Sequence, residues 1–149
     1  MSLRVLVPAC VPRRRNERGA SALELAFLAP WLLALIFLSI QAALYFYGRN
    51  VAIQAAREAV SQLRLAQDAA TYDSLLPQVR ARTTDFAASV GSGGLNDPQV
   101  TFGAQPHYDE RFPRTTVSVS GKTISLIPGL DLTAHGTASG SVERFEADE

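Results

Sequence analysis

Cysteine is nearly absent from the chain. Cys10 is the only one, so no disulfide can form within the molecule and no CxxC metal or redox pair exists. Charge of one sign is missing too: Lys+Arg and Asp+Glu are each 14, and no global field draws the protein to nucleic acid or an anionic surface. Histidine is limited to His107 and His135, which are far apart and show no recognised ligand spacing. There is no glycine-rich phosphate loop followed by Lys and Ser/Thr, no nucleophile elbow and no basic patch with interleaved aromatics. The densest polar cluster, His107-Tyr108-Asp109-Glu110-Arg111, lies in a loop between Pro106 and Pro113, where a solvated surface is a better reading than a metal or acid–base site. The expectation is therefore a protein that is not an enzyme and has no cofactor, no metal, no small-molecule substrate and no nucleic-acid partner.

What is present is one long hydrophobic segment. From Leu25 to Tyr47 the chain carries no formal charge, and about 20 apolar helical residues suffice to cross a bilayer's hydrocarbon core. A buried core helix is the competing reading, but the 149 residues offer too little apolar surface elsewhere to wrap it on every side. A cleaved secretory signal is the other, with Ser39-Ile40-Gln41-Ala42-Ala43 offering small residues to a peptidase, although the apolar region exceeds the usual signal core. Cys10 in Leu6-Val7-Pro8-Ala9-Cys10 loosely echoes a lipoprotein box, yet the apolar run follows the cysteine rather than preceding it. A free thiol in a cytoplasmic leader is the simpler reading.

Arg4, Arg13, Arg14, Arg15 and Arg18 crowd the N-terminal stretch, and positive flanks resist translocation. Arg13, Arg14, Arg15 and Arg18 thus act as topology signals that keep the N-terminus inside and place the C-terminal part outside. The acidic tail, with Glu143, Glu146, Asp148 and Glu149 around Arg144, fits ends that face different compartments. Tyr45 and Tyr47 suit the far interface, with rings buried and hydroxyls wet. Pro30 removes a backbone donor inside the span and predicts a bend near Ala26 to Pro30.

Glu24 stands at the border of the span, where a carboxylate can reach headgroups, pair with Arg18 or favour a helix N-terminus. Its neighbours add more: Arg18-Gly19-Ala20-Ser21-Ala22-Leu23-Glu24-Leu25-Ala26, then Pro30 in an apolar run, then Arg49-Asn50 and Ala55-Ala56-Arg57-Glu58-Ala59. Together these residues resemble the TadE-like family, the TadE/TadG-type pseudopilins of tight-adherence (Flp) pilus assembly, over roughly Arg18 to Ala59. The resemblance implies prepilin-peptidase cleavage after Gly19, with Ala20 as the new N-terminus and Glu24 as the fifth residue, the position whose carboxylate neutralises a neighbouring subunit's terminal ammonium. Leu25 stands where Flp-type pseudopilins usually have an aromatic, and Ala20 where pilins commonly have Phe, so a member that keeps its leader is also compatible. Implied partners are the membrane, other pseudopilins, an inner-membrane platform protein and a prepilin peptidase.

Past the span, Ile53, Ala56, Val60 and Leu63 recur at helical steps and predict that the helix continues outside to Leu65 or Gln67, through residues 48–67. The stripe packs on its own domain or on sibling subunits. A second amphipathic helix is expected over 73–90, with Asp73 or Ser74 as N-cap, Pro77 in the first turn and an apolar face of Leu75, Leu76, Val79, Phe86 and Val90. The segment Gly91 to Pro98 reads as a loop in which Asn96-Asp97-Pro98 begins a turn. Three strands are expected within 99–145, around Val100–Phe102, Thr115–Ser120 and Leu132–Ala138, with a turn at Pro128-Gly129. The fold class is α+β: a long N-terminal transmembrane helix continuing outside, a second helix and a small antiparallel β-sheet in pilin-like layers. Residues 1–19 form the basic cytoplasmic leader, 20–47 the transmembrane helix and 48–149 the exported domain.

The functional expectation is a single-pass protein of the cytoplasmic membrane that serves as a pseudopilin or pilus-assembly protein of a tight-adherence, type IV pilus-like secretion apparatus. The alternatives are a membrane-anchored cell-envelope binding module and a secreted domain released by signal peptidase.

Overall fold

The computed structural model of the chain describes residues 17–91 and 94–143. Helix α1 (Glu17–Leu63) is followed by helix α2 (Ala69–Val90) and strands β1 (Asn96–Phe102), β2 (Arg114–Thr123) and β3 (Leu132–Ser141). The strands form one antiparallel sheet in the order β1-β2-β3, so the architecture is the expected α+β arrangement. Contacts divide the chain into one unit ending at Ile36 and a second beginning at Phe37.

The first unit is helical from Glu17 onward and remains so on both sides of Pro30. Its apolar side chains are uncovered, with Phe27 at 80% and Trp31 at 76% exposure. No soluble helix presents such a surface on all sides without a partner or a lipid phase.

In the second unit, Val51, Ala52, Ala55, Ala56, Ala59, Val60 and Leu63 of α1 are all buried. Of the expected stripe, Ala56, Val60 and Leu63 are buried and Ile53 is half-covered; the stripe also takes in Ala52, Ala55 and Ala59. The reason lies in β3, whose inward positions are Ala134, Gly136, Ala138 and Gly140. A Cβ on Gly136 would sit 2.7 Å from the Ala52 carbonyl oxygen and closer still to the Ile53 amide nitrogen, so helix backbone rests directly on strand backbone. Only small residues on both partners permit that approach.

β2 is the central strand and alternates cleanly: Thr115, Val117, Val119, Gly121 and Thr123 are buried and the intervening residues are not. Val119 is flanked by Val100 on β1 and Gly136 on β3, and Val117 by Phe102 and Ala138. One buried polar pair lies in this core, the Tyr72 hydroxyl and the Thr115 hydroxyl at 3.0 Å. At the far edge Arg64 donates to the Ser141 carbonyl at 2.8 Å and pairs with Glu143 at 3.1 Å, which ties the end of α1 to the end of β3.

Several local expectations are corrected. α1 stops at Leu63, where the tighter bonds Leu65 N–H to Gln62 and Ala66 N–H to Leu63 end the α-helical ladder. The N-cap of α2 is Asp68, not Asp73 or Ser74: its extended backbone (φ −144°) and its carboxylate, accepting from the Thr71 N–H at 2.7 Å and the Thr71 hydroxyl at 2.8 Å, start the helix earlier. Pro77 consequently lies inside α2 rather than in its first turn, at an exposed position. The face of α2 that is buried is Tyr72, Val79, Thr83 and Ala87; Leu75, Leu76 and Phe86 are half-covered and Val90 is exposed. Finally, Asn96-Asp97-Pro98 belongs to β1, with a register shift between Asn96 and Gln99 and a left-handed Asp97 (φ 49°). An Asp tolerates that conformation better than most residues, which is why a turn-like tripeptide serves as a β-bulge.

Candidate functional site

Of the residues expected to carry function, those described lie at the start of α1. Arg13, Arg14 and Arg15 are outside the described residues. Arg18, Gly19 and Ala20 have helical backbone within the opening turn and a half of α1; their side chains are outside the description. Glu24 is an exposed residue of α1. It is followed by the exposed apolar side chains Leu25, Phe27, Leu28, Trp31, Leu32 and Leu33. Along the described chain, the next formal charge after Glu24 is Arg49. A lone carboxylate heading such a surface is suited to meeting a positive group of another molecule, since the helix carries no cation of its own over that interval.

A second constellation lies entirely in the C-terminal unit and was not anticipated. Gln41 is only 4% exposed. Its Nε2 donates to the Ile124 carbonyl at 3.2 Å, and its Oε1 accepts from the Leu126 N–H at 2.8 Å. One side-chain amide thus satisfies both a donor and an acceptor of the loop between β2 and β3. Sequence reasoning treated Gln41 only as part of a peptidase-like stretch. The available signal was that Gln41 is the sole side-chain amide in the uncharged run from Leu25 to Tyr47, where a polar group needs a fixed partner.

The loop that Gln41 holds turns at Pro128-Gly129, as expected. The Leu130 N–H bonds the Ile127 carbonyl at 3.2 Å, and Gly129 has φ +82°, so proline and a left-handed glycine occupy the two central positions of a type II turn. Leu126, Ile127 and Leu130 remain 45%, 43% and 38% exposed. An open groove of about 320 Å³ runs between this loop and α1, lined by Leu38, Ala42 and Phe46 on one side and Ile127, Leu130 and Leu132 on the other.

Tyr47 differs from expectation. Its hydroxyl donates to the Val90 carbonyl at 3.0 Å, so its polar end bonds the domain. The Tyr45 ring meets Phe46 edge to face at 5.7 Å. His107 and His135 are both exposed, in the loop after β1 and on the outer face of β3 respectively. Tyr108, between them in the polar loop, donates to the Ala66 carbonyl at 3.3 Å; burial is the main cause of its pKa lying above the usual phenol value.

Residues 19–61 match a family model described as TadE-like protein. Neither the curated proteins nor the solved structures give a match. The matched stretch opens at Gly19, includes Glu24 and Gln41, and ends within the buried stripe of α1. α1 is also long and apolar enough to cross a membrane, which suggests single-pass anchoring. Over residues 19–61, the greater part of α1, the chain is therefore similar to TadE-like proteins.

Proposed function

We propose that the chain is a membrane-anchored pseudopilin or assembly protein of a tight-adherence pilus apparatus, spanning the cytoplasmic membrane once with its N-terminus on the cytoplasmic side and its C-terminal unit outside. It acts by insertion, helix association and display of the α+β unit, not by catalysis. The observation that carries this reading is the TadE-like match over 19–61 on a helix whose apolar surface is bare and is headed by the carboxylate of Glu24.

Each N-terminal residue then has a physical task. Arg13, Arg14, Arg15 and Arg18 hold the leader on the cytoplasmic side. The Gly19–Ala20 bond lies near the helix start, where the first amides have no intrahelical partner and the backbone unwinds most easily into a prepilin peptidase. Glu24 attracts the terminal ammonium of a neighbouring pseudopilin, an interaction strengthened by low dielectric and costly to leave unpaired. Release by a secretory peptidase near Ala43 is the weaker alternative, because cutting there would separate Gln41 from the loop it bonds.

Edman sequencing of the membrane-extracted protein tests the reading. A start at Ala20 supports processing, an intact leader supports an unprocessed assembly factor, and a start near Ala43 contradicts both. In parallel, Glu24→Ala is expected to insert normally yet fail to co-isolate with partner pseudopilins and the platform protein; undiminished co-isolation removes the assembly role.

A further inference from the structure

We infer that the tip of the β2–β3 hairpin is a second membrane contact: Leu126, Ile127 and Leu130 dip into the leaflet on the domain's side, beside α1, while Gln41 neutralises the loop's backbone there. The inference rests on the anchoring of α1 proposed above.

Depth is set by the contacts of the C-terminal unit alone. Gln41 precedes Arg49 by eight residues, so along the helix axis the loop meets α1 about 12 Å from the first charge that follows the apolar run. At this level α1 presents Leu38, Ala42 and Phe46, all part of the uncharged run. The loop itself, residues 124–130, carries no charge, and Lys122 and Asp131 stand only at its base. Asp131 limits the insertion to the headgroup and upper acyl layer, because a carboxylate placed deeper would be costly.

The two ends of the sheet are chemically opposite. The connection between β1 and β2 holds His107, Asp109, Glu110 and Arg111; in a meander it lies at the other end from the β2–β3 tip. One end is built for water and the other for oil. Non-helical backbone is tolerated at membrane depth only when its polar groups are satisfied by protein, and Gln41 does this for Ile124 and Leu126. A lipid surface continuous with the one around α1 explains both the bare leucines and the buried amide.

Tryptophan fluorescence of the full chain in lipid vesicles tests the assignment. Trp31 is the only native tryptophan and reports on α1. Three variants in a Trp31→Phe background place the probe at Ile127→Trp, at Leu130→Trp, and at Phe112→Trp as the water-facing control. Probes at 127 and 130 are expected to be quenched several-fold more by lipids brominated high on the acyl chain than the probe at 112, and several-fold less by iodide. Iodide quenching of both tip probes without lipid quenching overturns the inference. So does shielding from both quenchers, which would place another protein copy on the tip. If wild-type Trp31 escapes brominated lipid, the anchoring of α1 itself fails; if Trp31 is quenched and the tip probes are not, only the hairpin contact fails.

Discussion

Two polar residues of α1 carry most of the functional argument, and they differ in how they were found. Glu24 is legible because its charge interrupts an apolar surface and its neighbours resemble a known pattern. Gln41 stands out in the sequence only as a lone amide in an apolar run; its partners, 83 and 85 residues away, are announced by no local spacing. Gln41→Leu should strand the Ile124 carbonyl and the Leu126 amide, at about 1–3 kcal/mol for each buried group left unpaired. Hydrogen exchange should then show faster exchange at Leu126 with Val119 still protected; unchanged protection at Leu126 would mean that the bond contributes nothing. Tyr72→Phe should destabilise the domain by about 1–3 kcal/mol, because the fully buried Thr115 hydroxyl loses its partner. Urea unfolding of detergent-solubilised protein measures this.

At the scale of elements, packing of α1 on β3 depends on small residues. Gly136→Val should cost several kcal/mol, since its side chain would collide with the backbone of Ala52 and Ile53; a variant as stable as the parent in urea unfolding would refute the close approach. The start of α2 has a pH dependence of known sign. Hydrogen bonds from Thr71 hold the Asp68 carboxyl below its ordinary value of 3.8, so its capping contribution is present above that pH and is lost as pH falls through the lower folded value. Exchange at the Thr71 amide should accelerate there, and Asp68→Asn should flatten the response. The periodicity of α1 and the alternation of β2 could be read directly because one period dominates each, and the Pro128-Gly129 turn because proline fixes φ and glycine accepts a positive one. The α2 boundary was misread because Asp73 and Ser74 are equally good capping residues locally, and what selects Asp68 is its own extended backbone and its two bonds to Thr71. Ala56, Val60 and Leu63 of the core stripe were legible from helical spacing, whereas Ala52, Ala55 and Ala59 were not, because their burial depends on the close approach that the glycines and alanines of β3 permit.

For the whole molecule, the account joins a bare apolar helix to a small α+β unit and assigns them to lipid and water respectively. The TadE-like match stops at residue 61, so α2 and the sheet are understood from their own packing. That part has its own core, in which Val117, Val119, Tyr72 and Leu63 are among the largest fully buried side chains. Topology is therefore the claim on which everything else depends, and protease added to intact spheroplasts reads it directly. The account predicts that the C-terminal unit is digested while an N-terminal fragment survives in the membrane and resists alkaline extraction. A fully protected chain, or one found in the soluble fraction after gentle lysis, would contradict it.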